Sequence, residues 1–140
     1  MTAKQPPKPL AAKLAITDDS VFTVVHPPPG FDDVLGDVGR AIRQHHLLPP
    51  IDVVLAFFTS RSMLRSEFQR LAEPTLPAGA LWIACPRVAA VGADLDERSV
   101  RAEVARHGWV DDMTCAVDAA WVAVRCRRRP STTRRRGASN

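Results

Sequence analysis

Two nearly continuous apolar runs, "IDVVLAFF" at residues 51–58 and "ALWIAC" at residues 80–85, most constrain how this chain can fold. Apolar residues at nearly every position, rather than at alternate ones, are typical of strands buried on both faces of a parallel sheet. The segment between the runs, "TSRSMLRSEFQRLAE", places Leu64, Phe68 and Leu71 on one stripe of a helix. Strand, helix and strand in this order predict a parallel βαβ unit.

Further elements extend this unit towards both ends of the chain. "SVFTVV" at residues 20–25 predicts a strand, "GFDDVLGDVG" a short helix and "DERSVRAEVARHG" a second amphipathic helix. "DMTCAV" and "WVAVRC" predict two strands, which the short link "DAA" forces into an antiparallel hairpin. We therefore predict an α/β fold: a Rossmann-like, mostly parallel sheet with helices on both faces and an antiparallel terminal hairpin strand. Residues 38–50 fit either a helical turn or a short edge strand.

The length of 140 residues is that of a single domain. Residues 1–9, rich in proline and lysine, predict a disordered segment, residues 10–128 a single α/β domain, and residues 129–140 a disordered arginine-rich tail. No apolar run approaches the roughly 18 residues of a membrane span. Because the start also lacks a secretory pattern, we predict a cytoplasmic protein with no membrane partner.

The positive charge of the chain is concentrated at its C-terminus. Without the seven arginines of residues 125–140, twelve basic residues remain of nineteen against fifteen acidic ones, so the body is mildly acidic. Clustered arginines bind phosphates, and they predict a polyanion or nucleic-acid partner; the alternative is a solvated extension that aids solubility. The arginines concerned are Arg125, Arg127, Arg128, Arg129, Arg134, Arg135 and Arg136.

Cysteine and histidine do not form a recognisable metal motif. Cys85, Cys115 and Cys126 are widely spaced with no C-x-x-C pair, and the four histidines share no ligand spacing with another residue type. We predict no metal site.

The candidate ligand residues follow from the topology of the predicted sheet. In an open parallel sheet, ligands bind outside the carboxyl ends of the strands. Residues of these types more often have structural roles: a helix cap for Thr59 and Ser60, a turn for Asp118, and packing for Trp121. The residues that the rule selects are His26, Gly30, Thr59, Ser60, Arg61, Arg87, Asp118 and Trp121.

Five motifs in a fixed order carry a resemblance to known proteins. They are "PPGF" at 28–31, "DVVLAFFTSR" at 52–61, "GALWIACPR" at 79–87, "ADLDE" at 93–97 and "CAVDAAW" at 115–121. With them, residues 10–129 resemble the bacterial, mainly actinobacterial, domain-of-unknown-function family 3052. The alternation of elements and the final hairpin also resemble the second half of a class I S-adenosylmethionine-dependent methyltransferase. The resemblance implies a reduced methyltransferase-like fold without a defined reaction.

The chain departs from this resemblance at the cofactor loop. Methyltransferases of this class hold the methionine end of the cofactor at a glycine-rich turn after the first strand and its ribose with a carboxylate after the second. Here that turn is "HPPPG" at residues 26–30, and proline has no N–H to donate. Only about two dozen residues separate the first strand from "IDVVLAFF", too few for two complete strand–helix units. We predict no cofactor, with S-adenosylmethionine possible but disfavoured.

Three functions are consistent with these patterns. The first is a methyltransferase-like domain without catalysis that acts as a binding or regulatory module, with a protein as one possible partner. The second is a divergent S-adenosylmethionine-dependent transferase that uses Thr59, Ser60, Arg87 and Asp118. The third is polyanion binding through the arginine tail. No Ser-His-Asp order surrounds the candidate residues, so the sequence does not support hydrolysis.

Overall fold

A single six-stranded sheet forms the centre of the protein, whose computed structural model describes residues 9–88 and 92–129. The strands run in the spatial order β2-β1-β3-β4-β6-β5. The first four are mutually parallel, and β6 is antiparallel to both β4 and β5. The strands are β1 (Val21–Val25), β2 (Ile42–Gln44), β3 (Ile51–Phe57), β4 (Thr75–Pro86), β5 (Trp109–Ala116) and β6 (Trp121–Arg128). The predicted Rossmann-like architecture with its terminal hairpin strand is confirmed.

The antiparallel strand lies inside the sheet, although the sequence suggested that it ends the sheet. The helix after β4 leads the chain past the position next to β4, so β5 forms the edge of the sheet. The tight link at 117–120 then returns β6 into the gap between β4 and β5.

Helices cover both faces of the sheet. They are α1 (Leu10–Lys13), α2 (Phe31–Leu35), α3 (Arg61–Ala72) and α4 (Glu97–Arg106). The apolar side of α3 and α4, including Phe68 and Val104, packs on one face. The other face is covered by Leu10 and Ala11 of α1, by Leu14 directly after it, and by Phe31 and Leu35 of α2. Within the described residues, no helix is long and apolar enough to cross a membrane.

The central strands are buried on both faces, as their composition predicts. The buried positions include residues 53–57 of β3, residue 58 directly after it, and residues 80–85 of β4. Trp82 in β4 is fully buried, and its indole Nε1 donates a hydrogen bond to the carbonyl of Leu14 at 3.1 Å. This bond ties the N-terminal segment to the middle of the sheet.

The ambiguous segment 38–50 contains an edge strand rather than a helical turn. β2 is parallel to β1, with Val21 opposite Ile42 and Thr23 opposite Gln44. It stops there, whereas β1 continues to Val25. A three-residue strand gives almost no periodic signal, so the sequence alone could not distinguish it from a turn.

Three of the tail arginines belong to the sheet, which corrects the sequence analysis. Arg125 and Arg127 in β6 both bond to the carboxylate of Asp112 in β5, at 2.8 and 2.6 Å. Arg128 donates to the carbonyls of Ala72 and Thr75 at 3.1 and 2.7 Å. The hairpin therefore runs further than the apolar letters suggested, because arginines on β6 are satisfied by acids and carbonyls beside them.

The remaining predictions concern the two ends of the chain, most of which lie outside the described residues. Arg129 is exposed directly after β6. Arg134, Arg135 and Arg136 lie outside the described residues, as do most of the predicted disordered segments 1–9 and 129–140. Polyanion binding through the tail stays a prediction. A truncation that tests it should begin after Arg129, because removal of everything beyond Val124 deletes half of β6.

Candidate ligand-binding site at the carboxyl edge of the sheet

A cavity of about 360 Å³ lies at the carboxyl edge of the sheet, where the strand rule placed a ligand. It brings together three of the predicted residues, His26, Thr59 and Trp121. The other predicted residues are not part of its lining. Five lining residues were not predicted: Pro28, Pro29, Phe57, Phe58 and Met63.

The walls of this rim cavity are mostly aromatic. Phe57 and Trp121 meet edge to face, with ring centroids 5.0 Å apart. His26 makes a similar contact with Phe58 at 5.5 Å. Met63, which is 45% exposed, is also part of the lining. Such walls suit an apolar group, since aromatic rings and a thioether bury apolar surface well. The signal in the sequence was the pair of phenylalanines that ends the buried run.

His26 is held in place by an unpredicted acid. Its φ of 56° lies in the left-handed region, which non-glycine residues seldom adopt. Its Nε2 lies 3.0 Å from Oε1 of Glu67 on α3, and Arg70 donates to the same oxygen at 2.7 Å. Burial raises the pKa of Glu67, the bonds from His26 and Arg70 lower it by more, and the net shift is downward. Glu67 is therefore ionised at neutral pH, and its carboxylate accepts the hydrogen bond from Nε2 of His26.

Ser60 and Arg61 serve the start of α3 rather than the cavity. The Ser60 hydroxyl accepts a hydrogen bond from the N–H of Met63 at 3.3 Å, which makes it the helix cap. The N–H of Arg61 donates to the Asp94 carboxylate at 2.8 Å. Thr59 differs, because it lines the rim cavity, and its carbonyl accepts a hydrogen bond from the N–H of Asp94 at 3.0 Å. Of the two cap candidates, Ser60 has that role.

Asp118 and Arg87 fasten the β5–β6 link to the end of β4. Oδ1 of Asp118 accepts from the N–H groups of Ala120 and Trp121 at 2.8 and 3.0 Å, the pattern of an Asx turn. Arg87 donates from Nη1 to the carbonyl of Asp118 at 3.2 Å, and from its own N–H to Ala120 at 2.9 Å. The turn interpretation of Asp118 accounts for its position without a ligand.

The β1–α2 loop does not fit the methionine end of S-adenosylmethionine. Three of its residues are prolines, and the N–H of Phe31 is already bonded to the carbonyl of Pro28 at 3.1 Å. Gly30, at φ 79°, only starts a five-residue helix. Asp32 and Asp33 occupy the first turn of α2, where they repel the carboxylate that the cofactor carries. Arg43 offsets one of these charges by pairing with Asp32 at 2.8 Å.

The ribose end of that cofactor also lacks its usual partner. β2 ends at Gln44 and is followed by His45 and His46, so no carboxylate follows the second strand. Both positions that would anchor the cofactor thus differ from what the resemblance implies.

The cysteine thiols offer no nucleophile for this site. Burial raises the pKa of Cys85 to about 12, and it also raises the pKa of Cys115 and Cys126. Protonated thiols are poor nucleophiles at neutral pH. Among residues 9–88 and 92–129, no three His, Cys, Asp or Glu side chains are placed to share a metal ion.

Solved structures with a similar fold include methyltransferases. The ribosomal protein L11 methylase of Lactobacillus delbrueckii subsp. bulgaricus matches with a TM-score of 0.57 at 11% identity, over 86% of this chain and 76% of that one. The DhpI–SAH complex matches at 0.56 and 11% identity, over 87% and 83%. Magnesium protoporphyrin IX methyltransferase (ChlM) of Synechocystis PCC 6803, with bound SAH, matches at 0.55 and 10% identity, over 86% and 78%.

The chain has a methyltransferase-like fold. Identities this low establish the fold and nothing finer. The match to the mitomycin 7-O-methyltransferase MmcR covers 76% of this chain but only 41% of that longer one, at 16% identity and a TM-score of 0.50. No family model and no curated protein sequence matches the chain.

Proposed function

We propose that this protein is a non-catalytic, methyltransferase-like binding module, whose rim cavity receives an apolar group of a small ligand or of a partner protein. The observation that carries the proposal is the β1–α2 loop. It offers prolines and two first-turn aspartates where a cofactor needs N–H groups and no negative charge. The fold is retained, whereas the loop that would hold the reactive cofactor is not.

The rim cavity supports the binding part of this proposal. Its volume of about 360 Å³ falls within the usual range of small-molecule sites. Aromatic walls with one imidazole and one hydroxyl match the general pattern of such sites, in which a few polar groups orient an apolar ligand. The side chains of Arg87 and Asp118, which a transferase would use, are engaged in structure: Arg87 donates to the Asp118 carbonyl, and the Asp118 carboxylate accepts N–H groups of the turn.

A second candidate, a divergent S-adenosylmethionine-dependent transferase, is favoured by the structural neighbours. Two of those described above carry SAH, and they superpose on more than four fifths of this chain.

We also propose, on the five sequence motifs alone, that the chain belongs to the domain-of-unknown-function family 3052.

Calorimetric titration with S-adenosylhomocysteine, with a melting curve beside it, separates the two candidates. A ligand at one hundred times its Kd adds about 2.7 kcal/mol to stability. For a chain of this size that corresponds to a rise in Tm of about 10 °C. The binding module is expected to give neither heat nor a shift. A saturable heat with a matching rise in Tm would reject it in favour of the transferase.

A variant of the loop shows whether the loop itself causes the lack of binding. Pro27→Gly restores an N–H, and Asp33→Asn removes a first-turn charge that makes no ion pair among the described residues. We expect the double variant to bind S-adenosylhomocysteine more tightly than the wild type does. Lys13→Gln, which changes one charge on α1, serves as the control and should bind no better.

A further inference from the structure

A second cavity, of about 390 Å³, adjoins the rim cavity at the outer side of β1. His26 lines both cavities. The second one is lined by three of the four histidines of the chain, His26, His45 and His46, together with Arg70. We call it the histidine cavity. The histidines approach from different elements: one follows β1, and the other two follow β2.

The short β2 creates this cavity. The β1–β2 pairing ends at Thr23 and Gln44, whereas β1 continues through Val24 and Val25, paired only with β3 on its other side. A strand edge without a neighbour presents free N–H and C=O groups. The buried Thr23 hydroxyl donates to the carbonyl of His46 at 3.4 Å, which holds the histidine pair beside this edge.

The charges around the histidine cavity change sign with pH. On α3, Arg70 is cationic, while Glu67 bonds to both Arg70 and His26, and Glu73 lies beside Arg70 in the adjoining cavity. With neutral histidines, these two acids outweigh the one arginine. Each protonated histidine adds one positive charge, so three histidines can reverse the balance.

We propose that the histidine cavity binds a phosphate-type dianion below neutral pH. Histidinium and guanidinium groups form charge-assisted hydrogen bonds with phosphate oxygens. Arg70 contacts Glu67 through Nη2 alone and keeps its other N–H groups for a ligand. The cavity sits apart from the aspartates of the β1–α2 loop, which do not line it. The site does not depend on the proposed function of the rim cavity.

Histidine side-chain NMR during titration with sulfate tests the proposal. Sulfate stays a dianion throughout, so any pH dependence of its binding belongs to the protein. We expect saturable shifts of the His26, His45 and His46 signals at about pH 6, and affinity at least about tenfold weaker at about pH 8. His107, which stacks on Phe68 and does not line the histidine cavity, is the internal control and should not move. No saturable shift at about pH 6, or equal shifts at His107, overturns the proposal.

Arginine variants test whether sulfate binds in the histidine cavity. Arg70→Gln should weaken sulfate binding at about pH 6 by about tenfold, and Arg70→Lys should restore most of it. Arg98→Gln, an exposed arginine on α4, is the matched control and should leave it unchanged. Equal losses in both arginine-to-glutamine variants would point to net charge alone and reject a site.

The source of the anion is tested with inorganic phosphate and phenyl phosphate. Tighter binding of phenyl phosphate indicates an aryl ester whose ring enters the adjoining rim cavity, whereas equal binding indicates free phosphate. If Zn²⁺ shifts the three histidines and no anion does, the cavity is a metal site and the proposal fails.

Discussion

The two halves of the molecule differ in how completely their elements are built. In residues 9–50, β2 has three residues and α2 has five. In the rest of the described chain, α3 has twelve residues, α4 ten and β4 twelve. Side chains such as those of Arg128 and Asp118 hydrogen-bond to the main chain within this second part. Both candidate cavities adjoin the first half, because short elements leave strand edges and loop walls uncovered.

We expect the loss of a buried phenylalanine ring to lower the free energy of unfolding by different amounts in the two halves. Phe68→Ala in α3 removes a fully buried ring that contacts His107 and Trp109, and it should lower the free energy of unfolding by about 4 kcal/mol. Phe31→Ala in α2 should cost at least about 1 kcal/mol less, since a five-residue helix can collapse into the space. Urea unfolding of both variants measures the difference. Equal costs would show that the first half is packed as rigidly as the second.

A buried carboxylate fastens α4 to α3 in the second half. Glu103 is 1% exposed and accepts two hydrogen bonds from Arg65, at 3.1 and 2.6 Å. Glu103→Ala should cost about 2 kcal/mol, because it removes the acceptor of two charge-assisted hydrogen bonds from Arg65. Glu97→Ala on the same helix removes an exposed pair with Arg101 and should cost less than about 1 kcal/mol. Similar costs in urea unfolding would contradict the role given to burial.

The same carboxylate predicts a loss of stability in acid. The hydrogen bond from Arg65 lowers the pKa of Glu103 below its ordinary value of 4.5, although burial acts in the opposite direction. The stabilisation is therefore present above the unfolded-state pKa and is lost as the pH falls through the folded-state pKa. Glu103→Gln should flatten this part of the pH profile of unfolding. An unchanged acid limb would assign the loss to other groups.

The turn at Asp118 tests whether its side chain serves structure or a ligand. Asp118→Ala removes two acceptor contacts and should cost about 1–2 kcal/mol in thermal or urea unfolding. Asp118→Asn keeps the acceptor oxygen and should stay within about 0.5 kcal/mol of the wild type. A large loss in the asparagine variant would show that the negative charge matters.

The sequence predicted the second half better than the first, for physical reasons. "IDVVLAFF" and "ALWIAC" are buried on both faces, and such runs leave a strong signal over many residues. β2 is specified by its pairing with β1, a contact with no local signal. At the site, the strand rule located His26, Thr59 and Trp121, but Glu67 was missed because its importance comes from a contact 41 residues away in the chain. The arginines of β6 were assigned to the tail because their partners, Asp112 and two carbonyls, lie on other elements.

The smallest predicted effect is a gain in the first half, at the end of α1. The N–H of Ile16 bonds to the carbonyl of Ala11 at 2.9 Å and that of Ala15 to Ala12 at 3.1 Å, which is the Schellman pattern. Ala15 occupies the left-handed position at φ 67°, where glycine has no Cβ penalty. Ala15→Gly should therefore raise the free energy of unfolding by about 1 kcal/mol. Ala12→Gly, inside the same helix, should lower it by about as much. If both glycine variants lower the free energy of unfolding, the left-handed position of Ala15 carries no strain. The low stability of the first half would then come from its unpaired strand edges.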